Sequence, residues 1–236
     1  MNQDTSRAFG RDPTRLVLVD DHELARQSIR VLLADLPDIR VIGEASNGRE
    51  AIRLCGRLRP DMVMMDVRMP EMDGLEATRE IKLSYPRISV LMLTVHDNPD
   101  YLLEALKVGA AGYVLKDADR QEIIAAIRRV REGDSPIDSQ LATRLLKRLA
   151  SEVAAQEGAR KRPDSAGIQQ LTPRELEVLE LLKLGRTNRQ IAEELYISVG
   201  TAKNHVEHII NKMGVSDRTQ AVVRALEVGL IDFSGS

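Results

Sequence analysis

The stretch VMMDVRMPEMDG, residues 63–74, runs from apolar residues into a carboxylate, Asp66, then a Met-Pro pair and Asp73-Gly74. A short apolar run bounded by turn residues predicts a buried strand. Strands that are apolar throughout belong in parallel sheets covered by helices on both faces. A carboxylate at the end of such a strand is costly to bury. Asp66 therefore either caps the next helix or carries the chemistry of the protein.

Working outward, the same alternation recurs. RLVLV (15–19) ends at Asp20-Asp21 and is followed by a helical pattern over 23–36. VIGEA (41–45) is a weaker strand, and Asn47 N-caps the helix after it. MVMMD (62–66), ISVLMLT (88–94) and AGYVLK (111–116) complete five strands, with helices expected over 73–84, 99–108 and 119–131. This predicts an α/β fold: a five-stranded, parallel, doubly wound (flavodoxin-like) sheet with right-handed crossovers. In such sheets ligands bind at the carboxyl ends of the strands. Asp20, Asp21, Asp66, Thr94 and Lys116 all stand at strand ends, so they are expected along one edge.

Residues 134–167 read as a connection. DSQLATRLLKRLASEVAA, beginning at 138, places Leu141, Leu145, Leu149 and Val153 on a narrow apolar stripe. This helix over 138–155 is either a docked spacer or a dimer contact, and QEGARKRPDSAG after it is expected to be a flexible linker. From 168 onward the pattern is helical only. Thr172 caps a helix with Pro173 at its first position and Glu175 three residues after the cap, and Gly185 ends it. NRQIAEELY is a short second helix, GTAKNHVEHIINKM a third stopped by Gly214, and SDRTQAVVRALEVG a fourth with Ser216 as its expected cap. The expected domains are a disordered leader over 1–13, an α/β domain over 14–133, the linker over 134–167 and an all-α domain over 168–236.

Composition narrows the function classes. The 236 residues contain no Trp, and 3% are aromatic, which argues against a base-stacking platform. The single cysteine, Cys55, cannot form an intramolecular disulfide and is expected to be a small core residue in a reduced compartment. No apolar stretch is long enough to span a bilayer, and the leader has no signal core. A cytoplasmic protein without a membrane partner is expected. The net charge is −2, with −3 on residues 1–134, +2 on 135–167 and −1 on 168–236, so bulk charge does not announce a nucleic-acid binder.

Three clustered carboxylates raise one another's pKa unless a cation joins them. Mg²⁺ suits an all-oxygen set and is often held by a few carboxylates plus a phosphate. A carboxylate can also act as a nucleophile and form an aspartyl-phosphate, for which Lys116 supplies charge and Thr94 a hydroxyl. Taken singly, Asp20 is a helix cap, Thr94 a strand-end residue, Lys116 a solvated charge and Tyr113 a core or edge aromatic. His22 and His96 flank this edge as rim residues, since Mg²⁺ prefers oxygen.

VDD, MMDVRMPEMDG, LTVHD and GYVLKD, in this order over residues 14–133, closely resemble the receiver domain of two-component response regulators. The resemblance implies that Asp66 accepts a phosphoryl group from a sensor histidine kinase. It implies Mg²⁺ on Asp20, Asp21, Asp66 and the backbone carbonyl of Arg68. Thr94 and Tyr113 would be the switch pair, with Lys116 on the phosphate. Val95 departs from the small residue common after the switch threonine, and a slower access or loss of phosphate is expected from it.

In the third helix of the C-terminal part, Val199, Ala202, Val206, Ile209, Ile210 and Met213 define a buried face. Thr201, Asn204, His208, Asn211 and Lys212 lie opposite. A short helix, a tight turn and a helix with a polar outer face is a helix-turn-helix pattern. LTPRELEVLELLKLGRTNRQIAEELYISVGTAKNHVEHIINKMGV strongly resembles the LuxR-type DNA-binding domain, and the whole chain a NarL/FixJ-type response regulator. This implies binding to double-stranded promoter DNA as a homodimer when active, with RNA polymerase as a further partner. Lys203, Asn204 and Glu207 would face base edges, and Thr187, Asn188, Ser198, Thr201 and Lys212 phosphates. Arg186 and Arg189 are either backbone contacts or plain surface charge. An aspartyl-phosphate phosphatase of the haloacid-dehalogenase type is the rival enzyme class, but it carries a second Asp where this chain has Arg68. The expectation is a phosphoacceptor, with at most slow self-dephosphorylation, rather than an enzyme. A pure interaction module that never reads DNA is the other rival.

Overall fold

The computed structural model describes residues 12–94, 99–132, 148 and 170–232. Its first part alternates β1 (Thr14–Val19), α1 (Glu23–Leu33), β2 (Ile39–Ala45), α2 (Gly48–Leu58), β3 (Met62–Asp66), α3 (Gly74–Ser84), β4 (Ser89–Thr94), α4 (Pro99–Lys107), β5 (Gly112–Leu115) and α5 (Arg120–Arg131). The strands form one parallel sheet in the order β2-β1-β3-β4-β5. The expected fold class is therefore observed. Val95, His96, the leader over 1–13 apart from its last two residues, the 138–155 helix apart from residue 148, and the linker after it lie outside the described residues.

Strand β3 is buried along its whole length, as its unbroken apolar run requires. The pleat divides its side chains. Met62 and Met64 join Leu16, Leu18, Leu91 and Leu93 in a core with α1 and α5, while Val63 and Met65 join Val17, Val19, Val90 and Met92 in a second core with α2 and α3. Cys55 is buried in that second core, and burial pushes its thiol up to about 12, so it packs rather than reacts.

Local signals set the helix starts. Asn47, Asp73 and Asp119 cap α2, α3 and α5 by accepting from the main-chain N–H three residues on. At the far end of the sheet Arg128 donates from Nε and Nη2 to the two carboxylate oxygens of Asp38, each at 2.9 Å, and Arg131 approaches to 3.1 Å. The Arg128 hydrogen bond is the main reason that Asp38 titrates below the ordinary carboxylate range. A carboxylate whose pKa falls on folding stabilises fully above its unfolded pKa, and loses that contribution as pH drops through the folded value. Because both side chains are partly exposed, Asp38→Asn is expected to cost about 1 kcal/mol at neutral pH. In urea melts the gap from wild type should close in acid.

The second part is helical: α6 (Pro173–Lys183), α7 (Asn188–Glu194), α8 (Val199–Met213) and α9 (Arg218–Glu227). Capping boxes open α6 (Thr172 with Glu175) and α7 (Thr187 with Gln190). Gly185 and Gly214 take positive φ at the ends of α6 and α8. One expectation fails here: α9 is capped by Asp217, which accepts from Gln220 N, and not by Ser216. The Ser216 hydroxyl is engaged by Asp217 and by Lys82 of α3 instead. Val178, Leu179, Ile191, Val206, Ile209 and Leu226 are among the residues of this domain's core, which also takes in Leu102, Leu103 and Leu106 of α4.

Candidate functional site

The carboxyl ends of β1, β3, β4 and β5 bring Asp20, Asp66, Thr94 and Lys116 to one edge. Register does this: Val19 pairs with Met65, Asp66 with Leu93, and Thr94 with Leu115. The main chain continues the pattern past the strands, with Val67 N donating to Leu93 O and Lys116 N to Thr94 O.

Asp20 is 1% exposed and Asp66 5% exposed. The Lys116 ammonium bridges them, 2.6 Å from Asp20 Oδ2 and 2.8 Å from Asp66 Oδ2. Burial holds the Asp66 carboxyl above its ordinary range, with Lys116 opposing part of the rise and the Asp20 charge adding to it. Burial also works against the Lys116 ammonium, but its hydrogen bonds and charge interactions with Asp20 and Asp66 outweigh that, so its pKa is raised. Asp21 is half-exposed and meets His22, whose Nδ1 lies 2.8 Å from Asp21 Oδ1 and 3.4 Å from Asp20 Oδ1. His22 is well exposed, on the rim as expected.

Asp66, Val67, Arg68, Thr94, Lys116, His22 and Tyr101 line a cleft of about 220 Å³. Arg68 reaches across it to donate to the Tyr101 hydroxyl at 2.9 Å. Tyr113 is half-buried and packs between two apolar clusters, one within the sheet domain and one shared with the helical domain.

The donor set fits a hard divalent cation. The buried carboxylates of Asp20 and Asp66 share one ammonium, and half-exposed Asp21 stands beside them, which leaves a local excess of negative charge. Oxygen donors of Asp20 and Asp21 with a nitrogen of His22 lie within 4.8 Å of one another. Asp66 is instead drawn onto Lys116 in this state.

Two supporting residues have no signal in the sequence. Arg26 of α1 donates from Nη1 to Asp20 O at 2.5 Å and sits 3.5 Å from Glu44 of β2, so it ties the acidic turn to the helix. Gly74, legible only as part of an Asp-Gly turn, is where α3 presses on the end of β3: a Cβ there would lie 1.9 Å from Asp66 O. Its N–H donates to Val67 O at 2.8 Å.

In the helical domain, α7, the turn and α8 form the expected helix-turn-helix. Ser198 caps α8 by accepting from Thr201 N, and the two hydroxyls lie 2.9 Å apart. Thr187 caps α7, and Asn188 is buried. Thr201, Asn204, Glu207 and His208 are exposed on α8, and Lys203 is half-exposed. Lys212 is turned inward: its ammonium lies 2.7 Å from Glu175 Oε2, a carboxylate that is 3% exposed. The expectation that Lys212 faces a phosphate does not describe this arrangement. Arg186 and Arg189 are paired with Glu194 and Glu193. Among the described residues no helix is long and apolar enough to cross a membrane.

A parallel sheet with a buried acidic edge, joined to a helix-turn-helix domain, defines a response regulator with its own DNA-binding unit. The receiver-domain family of response regulators matches residues 16–128, and the LuxR family of bacterial regulatory proteins matches residues 169–225. The transcriptional regulatory protein DegU of Brevibacillus brevis is 38% identical over 227 residues, covering 92% of this chain and 94% of that protein. The transcriptional regulatory protein LiaR of Bacillus subtilis (strain 168) is 42% identical over 213 residues, covering 89% and 96%. The solved receiver domain of a putative response regulator, NarL from Mycobacterium tuberculosis, is 35% identical with a TM-score of 0.50 and covers 52% of this chain and 99% of its own. The chain belongs to the NarL/LuxR family of two-component response regulators and is a regulator of transcription.

Proposed function

We propose that Asp66 accepts a phosphoryl group from the phosphohistidine of a sensor kinase, and that this controls promoter binding by the helix-turn-helix domain. The observation that carries the proposal is the buried Asp66 carboxylate at the end of β3, facing the cleft and 2.8 Å from Lys116. A carboxylate oxygen attacks phosphorus, the P–N bond to the histidine breaks, and the electron pair leaves with the imidazole. The Lys116 ammonium and the Thr94 hydroxyl would then meet the phosphoryl oxygens at the positions that those two strand ends define. Asp20, Asp21, Asp66 and the carbonyl of Arg68 would hold Mg²⁺, which neutralises charge on the transferring phosphoryl group. The chain is a phosphoacceptor that at most slowly releases its own phosphate, and it works in the cytoplasm, where kinase domain and promoter are both accessible.

On the DNA side, Lys203, Asn204 and Glu207 project from the solvent side of α8 and would read base edges as a homodimer forms. Ser198, Thr201, Thr187 and the N-terminus of α8 would hold phosphates, which suits a domain of net charge −1. RNA polymerase is the partner that a promoter-bound regulator would contact.

The test is intact mass after incubation with Mg²⁺ and acetyl phosphate, with Asp66→Asn alongside. One phosphoryl adduct is expected on the wild type and none on the variant. An adduct that persists in Asp66→Asn would move the acceptor elsewhere and overturn the assignment.

A further inference from the structure

Helix α1 opens on His22, and the fold makes no use of its imidazole. The main chain there is extended, at φ −88° and ψ 111°, as an N-cap requires, yet the side chain makes no capping hydrogen bond. Serine, threonine, asparagine or aspartate would cap this helix better. What the fold fixes is the root of the side chain. His22 N donates to Asp20 Oδ1 at 2.9 Å, and His22 O accepts from the N–H groups of Ala25 and Arg26. The ring is thereby held over the acidic turn while remaining three-quarters exposed.

Its Nδ1 stands 2.8 Å from Asp21 Oδ1 and 3.4 Å from Asp20 Oδ1. The first contact is close without being a hydrogen bond: Asp21 Oδ1 is buried and accepts none among the described residues. A buried carboxylate oxygen without a donor is costly unless something electropositive meets it. The neighbour it has is an imidazole nitrogen, which in the neutral ring can itself offer a lone pair. Asp20 contributes in the same way: Lys116 takes its Oδ2, and Oδ1 keeps a second lone pair beyond the one that His22 N uses. Metal–ligand bonds of about 2.0–2.1 Å separate adjacent donors by about 2.9 Å in an octahedron and about 3.3 Å in a tetrahedron. The spacings here, 2.8 and 3.4 Å, bracket that range.

The donor types decide the ion. An all-oxygen set suits Mg²⁺, whereas an imidazole among carboxylates favours Zn²⁺, which binds mixed nitrogen and oxygen sites far more tightly. Two carboxylates and one imidazole on an exposed rim leave a position for water, as in open zinc sites. Asp66 is not needed in this set, and it is drawn onto Lys116 at 2.8 Å.

We propose that Asp20, Asp21 and His22 form a Zn²⁺ site that shares two ligands with the Mg²⁺ set, so that Zn²⁺ competes with Mg²⁺ and leaves Asp66 unphosphorylated on Lys116. His22 is the residue that chooses between the two ions. The competition rests on the proposed reading of the edge as the Mg²⁺ and phosphoryl site, whereas Zn²⁺ binding through His22 stands on the geometry alone.

Isothermal titration calorimetry of the full chain with ZnCl₂, and separately with MgCl₂, tests this. His22→Gln replaces the nitrogen by an amide and removes no hydrogen bond of the fold. It should weaken the tightest Zn²⁺ step by at least about a hundredfold, the upper end of what losing even an outer partner of a metal site costs. Its Mg²⁺ affinity should stay within about threefold of wild type, because Mg²⁺ takes oxygen. His22→Cys should restore tight Zn²⁺ binding, since a thiolate is also a zinc ligand. His208→Gln, on the exposed side of α8, should bind Zn²⁺ as the wild type does. Added Mg²⁺ should lower the apparent Zn²⁺ affinity of the wild type in proportion to its concentration. With Mg²⁺ and acetyl phosphate, Zn²⁺ should suppress the Asp66 adduct in wild type and not in His22→Gln. Equal Zn²⁺ affinity in wild type and His22→Gln overturns the site, as does a wild type that binds no Zn²⁺. Zn²⁺ binding that needs His22 but ignores Mg²⁺ overturns the competition. A chain that binds Zn²⁺ through His22 and takes neither Mg²⁺ nor a phosphoryl adduct would count against the phosphoacceptor reading and would support the zinc site.

Discussion

Gly74→Ala is expected to destabilise the receiver by about 3 kcal/mol, the upper end for overpacking, and to slow phosphorylation of Asp66 by about a hundredfold. The sign is unusual. Alanine normally stabilises a helical position by about 1 kcal/mol relative to glycine. Here the added Cβ would lie 1.9 Å from Asp66 O and 2.9 Å from Asp66 C, where real Cβ atoms stay beyond 3.0 Å. The colliding atoms are backbone, so no rotamer change relieves them. Either the start of α3 or the end of β3 must move by about an ångström, and both moves are felt at the site. The first frees the Asp73 cap, which accepts from Glu76 N at 2.8 Å. The second shifts the residue that must meet the phosphoryl donor. Gly200 in α8 is the control: its Cβ would meet nothing closer than Ser198 Oγ at 3.7 Å, so Gly200→Ala should be neutral or mildly stabilising. Urea unfolding of the three chains, with the rate of adduct formation by acetyl phosphate, distinguishes them. Equal stability of Gly74→Ala and wild type would show that the contact yields freely.

Lys212→Met should cost the helical domain about 3 kcal/mol at neutral pH, because it strands a buried carboxylate. Glu175 keeps one strong donor, Thr172 N at 2.7 Å, and loses the ammonium at 2.7 Å. In the wild type burial would raise the pKa of Glu175, but Lys212 and the Thr172 hydrogen bonds outweigh it and the net shift is downward. Its contribution is therefore full above the ordinary carboxylate range and is lost as pH falls through the lowered folded value. In Lys212→Met the lowering by the ammonium is gone while burial still acts, so the carboxyl titrates higher than in the wild type and protonation relieves the variant. The gap between the two chains should narrow steadily toward acid. Adding Glu175→Gln to Lys212→Met should recover much of the loss, since the amide oxygen still accepts from Thr172 N. Exchange of the α6 and α8 amides in the full chain reads this domain separately from the receiver. A gap that stays constant with pH would assign the loss to packing of the lysine stem instead.

What can be read locally was legible in the sequence. Strand and helix alternation, the parallel sheet, the polar residues at strand ends and most helix caps follow from side-chain period and from hydrogen bonds spanning three or four residues. Asn47 and Thr172 cap as their neighbours dictate. Ser216 shows where this stops: it and Asp217 are both competent caps, and Asp217 takes the role while Lys82, from a different domain, engages Ser216. Lys116 and Lys212 read alike as surface cations near a ligand. Register places one between Asp20 and Asp66, and packing turns the other onto Glu175. The role of Gly74 depends on how closely α3 approaches β3, and the seating of α9 on α4 joins residues more than a hundred positions apart. Residue order alone sets the elements, their succession and the chemistry available at the sheet edge, because those depend on near neighbours. Which charge each lysine neutralises, which glycine cannot carry a methyl group, and which helix packs on the receiver are settled by packing, because each depends on the distance between segments that the chain brings together when it folds.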